Sequence, residues 1–366
     1  MESQARQARS AAELCADFEE EDLHAAALHG WRYLSEMMWD PRHGGCFHRV
    51  SRAGEPLEAR TKHVHGLAYL ISACATLHAR LHVPGALELA REAFAWLEAH
   101  AHDAIHGGYM GFLTEEGRII ERMAENPLGG RLDTIGTPVG LKDLNVHSDL
   151  IDSLSNLYRI WPDETVGGRL KELAVIVTRR LRQPGGVQCY FAMPDWTATA
   201  HPTRYGYAFH SAIRLLAARD LLGAGAKVIE AAKGLVDAGL RQGWDRDHGG
   251  VFYAGPGMPP EDIEGWDLIV RHKAWWVQFE ALQALMALSD DGDIYRRTFQ
   301  FQWRYIQRFL IDRDRGGVYQ EGLDTAPAED AEPAVRLGAL VKGSAWKDAS
   351  HEVQAWLHCL KALPAG

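Results

Sequence analysis

Histidines, carboxylates and paired tryptophans are concentrated in a few short segments of the chain. These segments are residues 60–65, 145–152, 204–210, 273–280 and 346–352. Imidazole has an ordinary pKa that suits proton transfer near neutral pH. A tyrosine hydroxyl is a good hydrogen-bond donor to a developing negative charge. These residue types therefore predict general acid–base chemistry at a site that is also rich in aromatic rings.

No motif for a metal ion or an organic cofactor accompanies these residues. The chain contains no GxGxxG, no Walker loop and no HExxH. His63 and His65 are two residues apart, and side chains at that spacing on a helix do not face one ligand. The sequence therefore predicts no metal site and no cofactor.

A Gly-Gly turn recurs along the chain. Residues 39–47 (WDPRHGGCF) resemble residues 244–252 (WDRDHGGVF), and weaker copies occur at 106–109, 185–187 and 314–319. Glycine readily adopts the positive φ angles that a tight turn needs. A spacing of roughly 65 to 80 residues between copies is typical of a repeated supersecondary unit.

Amphipathic helical patterns lie on both sides of these turns. The patterns that precede a turn are residues 28–38, 87–99, 170–181, 228–240 and 299–310. After the turns, apolar residues again follow helical spacing, as at Leu150, Leu154 and Leu157. Repeated helical hairpins that close on themselves predict an all-α toroid with short Gly-Gly β-hairpins between outer and inner helices. No low-complexity linker divides the chain, so we predict one domain over residues 1–366, with the reactive segments at the starts of inner helices.

Charge and composition exclude several classes of partner. The net charge of −10 argues against nucleic acid and against an anionic membrane surface. No apolar run is long enough to span a bilayer, and residues 1–18 lack the apolar core of a signal peptide. The five cysteines are scattered and form no CxxC pair, which is typical of reduced thiols. We therefore predict a cytoplasmic protein, either a monomer or a homodimer.

Four motifs resemble the N-acylglucosamine 2-epimerase family, which includes cellobiose 2-epimerases and mannose isomerases. Residues 149–163 (DLIDSLSNLYRIWPD) are similar to the family's HxxEAYxxLYRxWPD, and residues 273–281 (KAWWVQFEA) to its KxWWxQAEA. Residues 243–253 (GWDRDHGGVFY) resemble its Gly-Gly hairpin, and residues 60–63 (RTKH) the RMTH of the mannose isomerase branch. The resemblance runs from about residue 31 to residue 360.

The resemblance implies an (α/α)6 barrel, no metal, and proton transfer at C2 of an open-chain aldose through a cis-enediol. It also assigns positions for the catalytic residues. The first family histidine falls on Asp149 and the second on Tyr207, while the glutamate one turn later falls on His210. The third histidine is retained as His351. The predicted catalytic set is therefore His351, His210, Tyr207 and Asp149.

The number of catalytic bases at the site bears on whether the reaction is a 2-epimerisation or an aldose–ketose isomerisation. A 2-epimerase removes a proton from one face of C2 and returns it to the other, so it needs two bases. An aldose–ketose isomerase can move one proton between C1 and C2 on one face with a single base. The replacements favour isomerisation unless His210, one helical turn from Tyr207, supplies the second base. Tyr207 is a poor base, with an ordinary pKa near ~10, but a good donor to an enediolate oxygen.

The remaining candidates are predicted to bind the sugar. Arg60 would contact a hydroxyl or an anionic group, and Asn145 would orient an oxygen or cap its helix. Trp275 and Trp276 point in different directions, so one of them would stack on the sugar ring while the other packs in the core. The full predicted substrate-binding set is Arg60, His63, Asn145, Asp152, Trp275, Trp276, Glu280 and Trp346.

Two other functions remain open at this point. Helical toroids also include inverting glycoside hydrolases, whose two carboxylates lie about 6.5–9.5 Å apart. Asp149 could supply one carboxylate, and Glu280 or Asp348 the other. The second alternative is a sugar-binding protein that has kept the cavity and lost catalysis.

Overall fold

The computed structural model describes residues 1–223, 225–255, 271–325 and 338–362. The chain forms two compact units. The first contains Met1–Leu181 and Tyr190–Thr199, and the second contains Arg182–Cys189 and Ala200–Gly366. Within the described ranges, no helix is both long and apolar enough to cross a membrane.

The first unit is built from helical hairpins. Its helices are α1 (Glu2–Phe18), α2 (Glu21–Arg32), α3 (Val64–Leu81), α4 (Ala86–His100), α5 (Leu144–Ile160) and α6 (Glu164–Val175). Helix α3 packs against both α1 and α5, and α2, α4 and α6 pack against α1, α3 and α5 respectively. Every residue of α3 from Val64 to Leu77 is buried. A helix that is buried on all sides belongs to an inner layer, so α1, α3 and α5 are the inner helices.

The second unit repeats this arrangement. Among its described residues, the helices are α7 (Gly206–Leu222), α8 (Gly225–Gly243), α9 (Trp275–Ala287), α10 (Asp293–Phe309) and α11 (Ser350–Ala362). Helix α9 packs against α7 and α11, while α8 packs against α7 and α10 packs against α9. The inner row is therefore α7, α9 and α11, with α8 and α10 outside it. The helices predicted on both sides of the Gly-Gly turns are all present.

Short antiparallel strand pairs precede three of the inner helices. The pairs are β1 (Lys62–His63) with β2 (Phe112–Leu113), β3 (Lys142–Asp143) with β4 (Phe191–Ala192), and β5 (Thr203–Arg204) with β6 (Ala254–Gly255). In the first pair Lys62 lies opposite Leu113. Each pair therefore fixes where α3, α5 or α7 begins.

The five predicted Gly-Gly turns are all formed. In each of them, the residues on either side of the turn make an antiparallel bridge, as Trp39 does with Cys46. Both glycines of the pair have positive φ, 68° at Gly44 and 71° at Gly45. A Cβ at Gly44 would also lie 2.7 Å from the Trp96 ring. Glycine is thus required here both by the backbone conformation and by the close approach of α4.

A lysine anchors four of these turns to the start of the following element; Lys62, Lys142 and Lys273 are buried, whereas Lys342 is partly exposed. Lys142 Nζ donates to Asp103 Oδ2 at 2.7 Å and to the Gly107 carbonyl at 2.7 Å. The same arrangement is made by Lys62 with Asp40 and Gly44, by Lys273 with Asp245 and Gly249, and by Lys342 with Asp312 and Gly316. Because Lys62 and Lys142 lie in the strands that lead into α3 and α5, the contact sets the position of these helices relative to the turn.

Candidate active site

The candidate site residues keep a fixed register relative to the turn lysines. The residues that lie seven positions after Lys62, Lys142 and Lys273 are Tyr69, Asp149 and Glu280, and those three positions after are His65, Asn145 and Trp276. The two positions are one helical turn apart, so they share one face of the inner helix. The repeat therefore brings polar side chains of neighbouring inner helices together.

In the second unit, Glu280 of α9 is the centre of a buried cluster. His351 Nδ1 lies 2.9 Å from Glu280 Oε1, and His210 Nδ1 lies 3.5 Å from the same oxygen. Arg214 Nη2 is 3.6 Å from it, one turn beyond His210 on α7. The Glu280 side chain is fully buried, whereas that of His351 is 10% exposed. The structure thus brings together the predicted residues His351, His210 and Glu280, and adds Arg214.

Electrostatics keep the Glu280 carboxylate ionised. Burial alone would raise its pKa, but Arg214, His210 and His351 hold the pKa of Glu280 well below its ordinary value. An ionised carboxylate can only accept hydrogen bonds, so the Nδ1 of His351 carries the proton that it donates to Glu280. The Nε2 atom is then left to exchange protons. A carboxylate that fixes the tautomer and orientation of an imidazole is the arrangement that acid–base histidines need.

Aromatic rings surround this cluster. The Trp276 ring is half-buried, with its centroid 6.1 Å from that of His351 and 5.1 Å from that of Tyr207. The Tyr207 ring is 5.5 Å from His210. Trp275, by contrast, is buried, and Lys347 Nζ lies 5.1 Å from the centre of its ring. Of the two adjacent tryptophans, Trp276 therefore has surface left for a ligand, and Trp275 packs in the interior.

In the first unit, Asp149 of α5 is the centre of a second buried cluster. The Tyr69 hydroxyl donates to Asp149 Oδ2 at 3.0 Å, and His65 Nε2 lies 3.0 Å from the same oxygen. Asn145 Nδ2 is 3.0 Å from His65 Nε2, and Glu2 Oε1 is 3.3 Å from His65 Nδ1. Two predicted residues, Asp149 and Asn145, therefore meet at a histidine that the sequence had not singled out as functional.

The environment of His65 favours its charged form. Burial opposes the charge, but hydrogen bonds to Asp149 and Glu2 raise the pKa of His65 to about 9. His63 makes a separate contact in the same unit, with Nε2 3.0 Å from Asp133 Oδ2. Its Nδ1 accepts a hydrogen bond from the backbone N–H of His65 and so caps α3. The two histidines therefore face different carboxylates, as their spacing predicts.

Three other predicted substrate-binding residues, Arg60, Asp152 and Trp346, do not belong to either buried cluster. Arg60 is paired with Glu115 at 2.7 Å, and its side chain is 46% exposed. Asp152 is held by an ion pair with Arg9. Trp346 is 44% exposed. Their predicted contacts with a substrate stay predictions.

The structure also corrects one detail and reveals residues that the sequence reasoning missed. The cap of α5 is Asp143, whose carboxylate accepts from the Val146 N–H at 2.7 Å, rather than Asn145. Arg214 and the turn lysines were also missed. The constant spacing of seven residues from Lys62, Lys142 and Lys273 to Tyr69, Asp149 and Glu280 is a sequence signal that could have identified these three lysines, but it gives no signal for Arg214.

One group of possible metal ligands is present among the described residues. Asp245, His248 and Asp324 approach one another closely. However, Lys273 Nζ lies 2.6 Å from Asp245 Oδ2 and 2.5 Å from Asp324 Oδ2. The lysine already provides the positive charge that these carboxylates require, so the group is explained as part of the turn anchor.

Known proteins resemble this chain over most of its length. A model of the family described as N-acylglucosamine 2-epimerase (GlcNAc 2-epimerase) matches residues 210–334. The chain is 25% identical over 305 residues to a cellobiose 2-epimerase of Bacteroides fragilis, an alignment that covers 81% of this chain and 72% of that protein.

Solved structures of sugar epimerases and isomerases resemble this chain in their fold. The structure of a cellobiose 2-epimerase from Spirochaeta thermophila matches with a TM-score of 0.82 at 24% identity, covering 98% of this chain and 85% of that one. A D-mannose isomerase matches with a TM-score of 0.80 at 20% identity, covering 99% and 86%. The predicted all-α fold of the (α/α)6 barrel type is thereby confirmed.

Proposed function

Because the chain belongs to the N-acylglucosamine 2-epimerase family, we propose that it is a cofactor-independent sugar isomerase or 2-epimerase. The reaction would take place at C1 and C2 of an aldose, through a cis-enediol. The observation that carries the proposal is the pair of imidazoles, His351 and His210, at one buried carboxylate oxygen of Glu280.

The proton at C2 of an open-chain aldose is acidified by the neighbouring carbonyl, and its removal needs a base with a pKa near the working pH. His351 is the best candidate, because its Nδ1 is bound by Glu280 and its side chain is partly accessible. His210 would return the proton to the carbon, or would exchange protons with the oxygen atoms of the enediol. Tyr207 would donate a hydrogen bond to the enediolate, and Trp276 would stack on the sugar.

The hydrolase alternative is less well supported by the same residues. An inverting glycoside hydrolase needs a carboxylic acid with a raised pKa as its proton donor. Glu280, one of the two carboxylates considered for that partner role, has a pKa well below its ordinary value, because Arg214 and two histidines surround it. It is therefore suited to orient bases rather than to donate a proton.

Hydrogen–deuterium exchange tests the proposal directly. The protein would be incubated with a panel of free aldoses and ketoses in deuterated water, and proton NMR would follow the C2 signal. We expect exchange with at least one sugar, and a loss of roughly 10²–10⁴-fold in its rate in His351→Ala. The matched control is His106→Ala, since His106 is exposed in a turn of the first unit.

The products distinguish the two reactions. A ketose would identify an isomerase and a C2 epimer would identify a 2-epimerase. A large effect of His351→Ala alone would indicate one base, and a comparable effect of His210→Ala would indicate two. Absence of both C2 exchange and any ketose or epimer product with every sugar, or an equal rate in His351→Ala and His106→Ala, would overturn the proposal.

A further inference from the structure

A cleft of about 290 Å³ lies in the second unit, between the turn at residues 244–249 and the outer helix α10. The residues that line it include Arg246, Arg304 and Arg308 and the aromatic residues Phe301 and Phe309. The volume is close to the lower limit of small-molecule sites, roughly 300–1,000 Å³. None of these residues belongs to the proposed sugar site.

The three arginines give the cleft a positive charge in a chain whose net charge is −10. In the part of the chain that the structure describes, none of the three forms an ion pair with a carboxylate. Two carboxylates line the cleft. Asp245 is paired with Lys273, at 2.6 Å, a lysine that also pairs with Asp324, and it lies 3.6 Å from His248 Nδ1. Asp247 is exposed and forms no ion pair among the described residues.

Two of the guanidinium groups are held in place by aromatic rings. Arg304 Cζ lies 5.8 Å from the centre of the Phe301 ring, and Arg308 Cζ lies 4.9 Å from the centre of the Phe309 ring. Cation–π contacts at these distances are favourable. They reduce the conformational freedom that the side chains would otherwise lose when they bind a ligand.

The corresponding turn of the first unit already contains an anion that the chain itself supplies. Glu172, on the outer helix α6, accepts from the Gly108 N–H at 2.6 Å and from Arg169 Nη1 at 2.8 Å. At the turn in the second unit, the outer helix α10 carries four arginines and one acidic residue, Asp293, at its first position. The side chain of α10 that lies against these glycines is Tyr305, so helix α10 places no carboxylate against this turn, and Arg304 and Arg308 flank Tyr305 in the cleft lining.

We propose that this cleft binds a small molecule that carries a phosphate group. Arginine matches the geometry of phosphate oxygens with paired N–H donors, and three guanidinium charges against Asp247 leave an excess that suits a dianion. The cleft has room for a phosphate and a small body, with Phe301 as an apolar wall. This site does not depend on the proposed isomerase or epimerase activity.

Calorimetric titration at low ionic strength tests the proposal, with pyrophosphate, inorganic phosphate, glucose 6-phosphate and glucose as probes. We expect saturable binding of phosphate-bearing probes and none of glucose to this cleft. The double variant Arg304→Gln/Arg308→Gln should weaken binding of the best probe at least about tenfold. The matched control is Arg296→Gln/Arg297→Gln, which removes the same charge from α10 outside the cleft.

A second variant should change the affinity for phosphate in the opposite direction. Asp247→Asn removes the unpaired carboxylate and should tighten phosphate binding several-fold. Tighter binding of glucose 6-phosphate than of inorganic phosphate would identify an organic phosphate as the ligand, and the reverse would identify free phosphate. Equal weakening in the two double variants, looser binding in Asp247→Asn, or no saturable binding of any phosphate would overturn the proposal.

Discussion

Glu280 and Asp149 occupy the same register on inner helices of the two units, yet their partners differ. Glu280 is bound by two histidines and an arginine, whereas Asp149 is bound by Tyr69 and His65. In both clusters an acidic side chain is buried together with imidazole, which reduces the cost of burying its charge. The same position of the repeat thus has a different electrostatic environment in each unit.

The charge of His65 should appear in the pH dependence of stability. Its pKa is raised from the ordinary 6.5 to about 9 in the folded protein. A raised folded-state pKa stabilises the fold fully below pH 6.5, and this contribution is lost as pH rises through about 9. The shift corresponds to a contribution on the order of 3 kcal/mol. We therefore expect the free energy of unfolding of His65→Gln to fall below that of the native chain at pH 6, with the gap closing above pH 9.

Urea denaturation between pH 6 and pH 9.5 measures this gap. His106→Gln serves as the control, because His106 is an exposed histidine whose replacement should leave stability nearly unchanged at every pH. A gap between His65→Gln and the native chain that does not vary with pH would contradict the assignment of charge to His65.

At the scale of elements, the Gly-Gly turns determine where the inner helices begin. Each anchored turn carries an aspartate that accepts backbone N–H groups of the turn and a lysine that reaches the carbonyl of its first glycine, as Asp103 and Lys142 do. The adjoining helix then packs directly on the glycines. At Gly108, a Cβ would lie 2.6 Å from His147 Nε2 and 2.6 Å from the Trp196 ring.

Gly108→Ala should therefore be considerably more destabilising than an alanine at an open turn. Gly129 is the matched control, because its φ of 71° is close to the 73° of Gly108 and nothing lies within 4 Å of its Cβ position. Both variants carry similar backbone strain, of about 1 kcal/mol or more. Only Gly108→Ala adds overpacking, which costs about 1–3 kcal/mol. Chemical denaturation would show the difference, and equal losses in the two variants would contradict the packing argument.

At the scale of the whole molecule, the net charge of −10 governs the partners that can approach. Affinity for nucleic acid comes largely from cations that displace the counterions of phosphates. The excess of acidic residues opposes the approach of a polyanion, although the cleft beside α10 can accept a single small phosphate.

We expect no binding of a short DNA duplex at physiological salt. Fluorescence anisotropy with a labelled duplex of about 20 base pairs measures this, at salt concentrations from about 50 to 200 mM, over which true phosphate contacts lose affinity steeply. A basic DNA-binding domain in the same assay provides the positive control. Saturable, salt-dependent binding at micromolar protein concentration would show that the arginines of α10 outweigh the net charge.

The amino-acid sequence by itself determined the elements of this protein and their repetition. Glycine pairs, apolar spacing and the tryptophan-rich motifs are local properties, so they predicted the Gly-Gly turns, the paired helices and the family. Glu280, His210 and His351 were identified as candidates because they lie near the starts of predicted inner helices, and the resemblance to the family assigned the roles of His210 and His351.

Only the tertiary structure decided which of these side chains meet. His351 and Glu280 are 71 residues apart in sequence, and His65 and Asp149 are 84 apart, so no local pattern could pair them. The cleft of α10 arises because the turn at residues 244–249 packs near residues 301–309 of that helix, more than 50 residues later. Contacts between distant residues depend on how the helices are arranged in three dimensions, and that arrangement sets the charge state of His65 and the environment of Glu280.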